Sequence, residues 1–141
     1  MNILLPVDGS PCSERAVEYL IGHVAWFREV PHIHLLHVHP PIPIGRVQAH
    51  VGHDTLEGYY REESEAQLVA AKGRLDTAGL AYTPHIHVGL PAEVIAKVAT
   101  DLGCELIVMG THGHGMVASL VTGSIAAKVL HLSACPVLLV K

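Results

Sequence analysis

Charge is scarce in this chain. Only 16% of its 141 residues are Asp, Glu, Lys or Arg, and thirteen acidic residues outnumber nine basic ones, for a formal net charge of −4. No basic stripe forms, which argues against nucleic acid as the main partner. No apolar run approaches the ~20 residues of a membrane span, and nothing after Met1 reads as a signal peptide. Cysteine is sparse as well. Cys12, Cys104 and Cys135 are odd in number and scattered, which suits small buried thiols in a reducing cytoplasm better than a disulfide framework. Catalytic groupings are missing too: no paired base and nucleophile, no arginine near the glycine-rich region described below, and no acidic pair for magnesium beyond Asp8. The expectation is a cytoplasmic protein that is not an enzyme, with at most slow hydrolysis of a bound nucleotide.

What is present is apolar. Half of the residues are hydrophobic and mean hydropathy is +0.37, enough to cover both faces of a sheet in one domain spanning residues 1–141. Residues 3–7 form a continuous apolar run, as a central parallel strand does. Pro6 is tolerable there only near the strand's C-terminal end. Ser10 and Pro11 then read as the cap and first position of a helix. That helix runs to about Arg28 and buries Val17, Leu20, Val24 and Phe27. A second strand covers 33–38, and residues 40–54 read as a long loop. A polar helix occupies about 56–78 and ends at Gly79. A third strand, 82–88, alternates like a less covered edge. A helix opening at Pro91 turns Val94, Ile95, Val98 and Leu102 to the sheet before Gly103. Strands at 106–109 and 137–140 bracket a helix at 125–131. Strands alternating with helices imply an α/β, three-layer sandwich with a parallel, doubly wound sheet. If its order is 3-2-1-4-5, Asp8 and Gly110 face each other across the crevice where strand order reverses, the usual ligand site of such sheets. Periodicity does not give that order.

The stretch Glu105–Ser124, ELIVMGTHGHGMVASLVTGS, carries the functional signal. A strand breaks at Gly110, Gly113 and Gly115 follow, and Gly123-Ser124 opens a helix. Glycines let backbone approach an anion, and free N–H groups at a helix start point at it. Ser124 suits an N-cap and a hydroxyl donor to phosphate. The pattern is neither a Walker loop nor a dinucleotide fingerprint. On spacing alone, a tight turn with a helix cap competes with the phosphate reading.

The spacing Gly110, Gly113, Gly123, Ser124, together with ILLPVDGSP, LLHVHPP, GLPAEVI and ACPVLLV, resembles the universal stress protein family across essentially the whole chain, most weakly over 40–80. The resemblance implies a five-stranded Rossmann-like sheet of the adenine nucleotide alpha hydrolase type, in the order 3-2-1-4-5. It implies ATP, with magnesium, as ligand of a regulatory stress-response protein acting as a nucleotide-dependent switch or adaptor. A slow nucleotide hydrolase and a nucleotide-free partner-binding module are the alternatives, and an unidentified protein partner fits either regulatory role. Carried over by position, Asp8, beside Pro6 and Val7, contacts the adenosine part, and Val38 meets adenine through its backbone. Met109 and Gly110 line the ribose and phosphate side. Gly113, His114, Gly123, Ser124 and Ile125 hold the phosphates, with His112 and Gly115 beside them. The family tends to dimerise through its last strand, here Pro136–Val140. His114 departs from the basic residue often found after this glycine; with His112 it suggests triphosphate binding that strengthens as pH falls.

Twelve histidines are the unusual part of the composition. His32 and His34 share a strand face, as do His37 and His39, and His85 and His87. Such pairs can start a zinc or copper site. No Glu, Asp or Cys recurs at ligand spacing beside them, so the expectation is a partly exposed histidine-rich edge without a metal. Lys128 is expected to be a solvated lysine.

Overall fold

A computed structural model describes residues 1–43, 52–114 and 122–141. Five parallel strands form one sheet: β1 (Asn2–Pro6), β2 (His32–His39), β3 (Tyr82–Val88), β4 (Leu106–Gly110) and β5 (Val137–Val140). Their order is β3-β2-β1-β4-β5, as the resemblance implied. Among the described residues, four α-helices connect them: α1 (Pro11–Gly22), α2 (His53–Thr77), α3 (Pro91–Asp101) and α4 (Ser124–Leu132). None of the described helices is long and apolar enough to cross a membrane.

Strand alternation sorts the apolar residues into two cores, which makes the three layers. Ile3, Leu5 and Val7 of the central segment turn to one face, where Ala16, Val17 and Leu20 of α1 meet Leu68, Ala71 and Leu75 of α2. Leu4, Leu36, Ile107 and Met109 turn to the other, against Ala92, Ile95, Val98 and Ala99 of α3 and Ala126 and Val129 of α4. Burial of such side chains contributes about 1.5–3 kcal/mol each relative to exposure. Pro6 is the last residue of β1, opposite Leu36. Its missing N–H costs little there, because Val7 N resumes the ladder by donating to Leu36 O at 2.8 Å.

Two local expectations are corrected. α1 stops at Gly22 instead of running to Arg28, and Val24–Trp26 form a 3-10 turn. Glycine is a poor interior helix residue, and His23 draws the last turn tight, its N–H shared between Tyr19 O and Leu20 O and its Nδ1 2.7 Å from Tyr19 O. Val24 and Phe27 are therefore half-buried instead of core. α4 is capped by Gly123, with no side-chain cap bond, so Ser124 is the first helical residue and not the cap. The histidine edge is partly exposed, as expected: His32 and His87 are exposed and His39 and His85 half-buried, while His34 is 8% and His37 5% accessible. The last strand is half-buried except at Leu138, which is 36% exposed. Helix stops at Gly79 (φ 68°) and Gly103 (φ 60°) follow from the left-handed backbone that glycine adopts without steric cost.

Candidate functional site

The C-terminal ends of β1 and β4 lie side by side at the reversal of strand order, and each is followed by a turn shaped by glycine. After β1 the chain turns at Asp8-Gly9-Ser10, with Gly9 at φ 73°. Asp8 Oδ1 accepts from Ser10 N at 2.9 Å, and Ser10 Oγ caps α1 by accepting from Ser13 N at 3.2 Å. At the end of β4, Gly110 packs under the start of α1. A Cβ there would stand 2.8 Å from the Cys12 carbonyl group. Thr111 N donates to Val140 O at 2.9 Å, and Gly123 N donates to Thr111 O at 2.7 Å. The start of α4 is thus docked on the end of β4. A Cβ on Gly123 would meet that same Thr111 oxygen at 2.8 Å. Gly110 and Gly123 are therefore required by close backbone packing, whatever else they do.

Gly113 differs. A Cβ there would meet only a side chain, Asp8 Oδ2 at 2.6 Å. His114 Nε2 donates to Asp8 O at 2.6 Å. Asp8 and the glycine segment thus face each other across one crevice, as expected. The crevice is a cleft of about 380 Å³, lined by Pro6, Val7, Asp8, Val38, Met109, Gly110, His112, Gly113, His114, Gly123, Ser124 and Ile125. The remaining sequence candidate, Gly115, lies outside the described residues. The volume of the cleft is in the range of small-molecule sites. Into it opens the first turn of α4, whose leading N–H groups have no intrahelical acceptor, and this end favours negative charge.

Several lining residues were not anticipated: His37 and His39 from β2, Glu63 and Gln67 from α2, and Pro91 and Ile95 from α3. His39 lies between two acceptors, Pro40 O at 2.6 Å and Glu63 Oε2 at 2.8 Å. The hydrogen bond from His39 leads the causes that hold Glu63 below the usual glutamate range, with Tyr59 adding to it. His37 donates from Nδ1 to Val7 O at 2.8 Å. Burial pushes its pKa below the ordinary histidine value, and the charge of His39 adds to that. Gln67 reaches over the first turn, its Oε1 filling the place a side chain on Gly9 would need. A periodic signal for Glu63 and Gln67 existed, since they lie one helical turn apart. Nothing in a long polar helix says which of its turns crosses the sheet edge.

Burial alone would raise the Cys12 thiol pKa, but hydrogen bonds from the Thr111 side chain and the backbone at Thr111 and His112 pull it below the usual cysteine value. Lys128 bonds Glu93 on α3 instead of being merely solvated, and it is not among the residues lining the cleft.

A family model described as the universal stress protein family matches residues 1–141. A universal stress protein of Thermus aquaticus is 34% identical over 145 residues, covering 99% of this chain and 98% of its own. The solved structure of protein MJ0577 of Methanocaldococcus jannaschii superposes with a TM-score of 0.84 at 31% identity, over 99% of this chain and 94% of that one. The structure of a universal stress protein from Archaeoglobus fulgidus in complex with dAMP matches with a TM-score of 0.70 at 22% identity, over 100% of this chain and 98% of that one.

Proposed function

The chain belongs to the universal stress protein family, and on that premise we propose that it binds an adenine nucleotide in the cleft between the ends of β1 and β4. The observation that carries this reading is the pairing of two features in one crevice. The free first turn of α4 lies at one end, and an apolar wall of Val38, Ile95 and Met109 lies within the same lining. A phosphate is an anion that wants N–H donors, and a purine is a flat apolar body with a polar edge. A nucleotide needs both in one place. The dAMP held by the Archaeoglobus fulgidus neighbour is a ligand of this chemistry on the same fold.

In this assignment Asp8 takes the sugar side, and Gly113 with the first N–H groups of α4 takes the phosphates. ATP with magnesium is the proposed working ligand. Magnesium bound to such a nucleotide is held mainly by phosphate oxygens and water, and needs no more than one or two carboxylates from the protein. The protein then acts as a nucleotide-dependent switch or adaptor in the cytoplasm, with no catalytic role beyond slow hydrolysis. Among the described residues β5 pairs only with β4, and its open edge is the proposed surface for a second copy. Mass spectrometry of what the purified protein releases on denaturation tests the reading. An adenine nucleotide near one equivalent supports it. No nucleotide, with no rise in melting temperature on adding AMP or magnesium ATP, would leave a partner-binding module with an empty cleft.

A further inference from the structure

Two His-x-His segments, 32–34 and 85–87, lie on neighbouring strands at the sheet edge away from the cleft. The register places Leu36 opposite His85 and Val38 opposite His87. His32, His34, His85 and His87 therefore share one face of β2 and β3. His34 Nδ1 and His85 Nε2 are 3.1 Å apart, and the rings of His32 and His34 are 4.7 Å apart. We propose that this pair, His34 and His85, is a binding site for a borderline divalent cation such as zinc or copper, with His32 recruited as the third ligand.

The argument is geometric. Two imidazole nitrogens facing each other with no other partner between them share one proton: one donates and the other offers its lone pair. A cation replaces that proton. Metal–nitrogen bonds of about 2.0–2.1 Å spanning 3.1 Å subtend an angle of roughly 100° at the metal, between square-planar and tetrahedral. Among the described residues no group of three His, Cys, Asp or Glu side chains stands ready for a metal, so the third ligand has to turn in. His32 is placed to do so. It is exposed, and its Nε2 bonds the Thr83 hydroxyl at 3.0 Å, a surface bond that water replaces at small cost. His85 is half-buried and His87 exposed, which leaves a path from solvent.

The site is independent of the nucleotide, so its test uses the full chain free of nucleotide and of any polyhistidine tag. Zinc titration by calorimetry at about pH 7.5 should show one equivalent bound with a Kd of ~10 μM or tighter. Copper electron paramagnetic resonance should show coupling to two or three nitrogens. His85→Ala, at the half-buried member, should weaken zinc binding by about tenfold or more and His32→Ala by less. His39→Ala, in the cleft, should leave zinc binding unchanged. No heat up to about 200 μM zinc, or binding that survives His85→Ala, overturns the proposal.

Discussion

Valine at Gly113 separates a ligand site from a turn. The backbone there is not in the left-handed region; the described glycines that are, Gly9, Gly79 and Gly103, lie elsewhere. A Cβ meets only Asp8 Oδ2, at 2.6 Å. That carboxylate can swing aside at the expense of the bond from Ser10 N to Oδ1, worth about 1.5–3 kcal/mol as a bond to a charged group. Against a typical domain stability of roughly 5–15 kcal/mol the variant stays folded, with a melting temperature lowered by no more than about 12 °C. Binding should suffer more plainly. The added side chain occupies the approach to the phosphate segment and displaces the carboxylate assigned to the sugar. Affinity for magnesium ATP should fall about tenfold or more, at least 1.4 kcal/mol. Calorimetric titration reads the affinity and circular dichroism reads the fold. Wild-type affinity in folded Gly113→Val would refute the phosphate assignment. Gly123→Val is the wrong probe, although the sequence suggests the two are equivalent. Its Cβ presses on the Thr111 carbonyl and the His112 backbone, which cannot yield as a side chain can, so stability and binding fall together.

Three further outcomes follow from the packing. His37 has its pKa lowered in the fold, so the unfolded chain takes up the proton first; stability is complete above the ordinary histidine value of 6.5 and is lost as pH falls below it. The groups acting on this ring are His39, Asp8 and Glu63, and urea denaturation at about pH 7.5 and 5.5 should show a smaller loss for His37→Asn than for wild type; equal losses would clear His37. Leu138, the most exposed residue of the β5 edge at 36%, should be covered by a second copy, so Leu138→Lys should shift light scattering from dimer to monomer; a wild-type monomer at micromolar concentration rejects that interface. Leu68, fully buried between α2 and the sheet, should cost about 2–5 kcal/mol as Leu68→Ala, read from the denaturation midpoint; a loss below 1 kcal/mol would mean that α2 is not anchored there.

The alternation of elements was legible because the strands read as short apolar runs or, for β3, as an alternating one, and each helix opens or closes at Ser, Pro or Gly. β3 and β5 were found to the residue, and β2 to within a residue at each end. Strand order was not legible from periodicity, since it depends on which apolar faces find each other; the resemblance supplied it. The glycine segment was legible as a place, but only partly as a cause. Gly110 and Gly123 turn out to accommodate the backbone of α1 and the end of β4, a contact between parts of the chain distant in sequence. Ser124 looked like a cap because serine commonly is one, yet the helix starts a residue earlier. Glu63 and Gln67 were missed because α2 is polar on most of its surface, with only a narrow line at Ser64, Leu68, Ala71 and Leu75 buried. The histidine pairs were read as a partly exposed edge because imidazole is polar, with no sign of which rings are covered. His37 is buried, satisfied by a backbone carbonyl, and His34 by another imidazole.

Nucleotide binding in the cleft is tested most directly by titrating isotope-labelled wild-type protein with AMP and with magnesium ATP while recording amide chemical shifts. The account predicts saturable shifts concentrated at Val38, Gly110, Gly113 and Ser124 to Ala126, with β3 unmoved. Shifts that fail to saturate, or that gather away from the ends of β1 and β4, would contradict it.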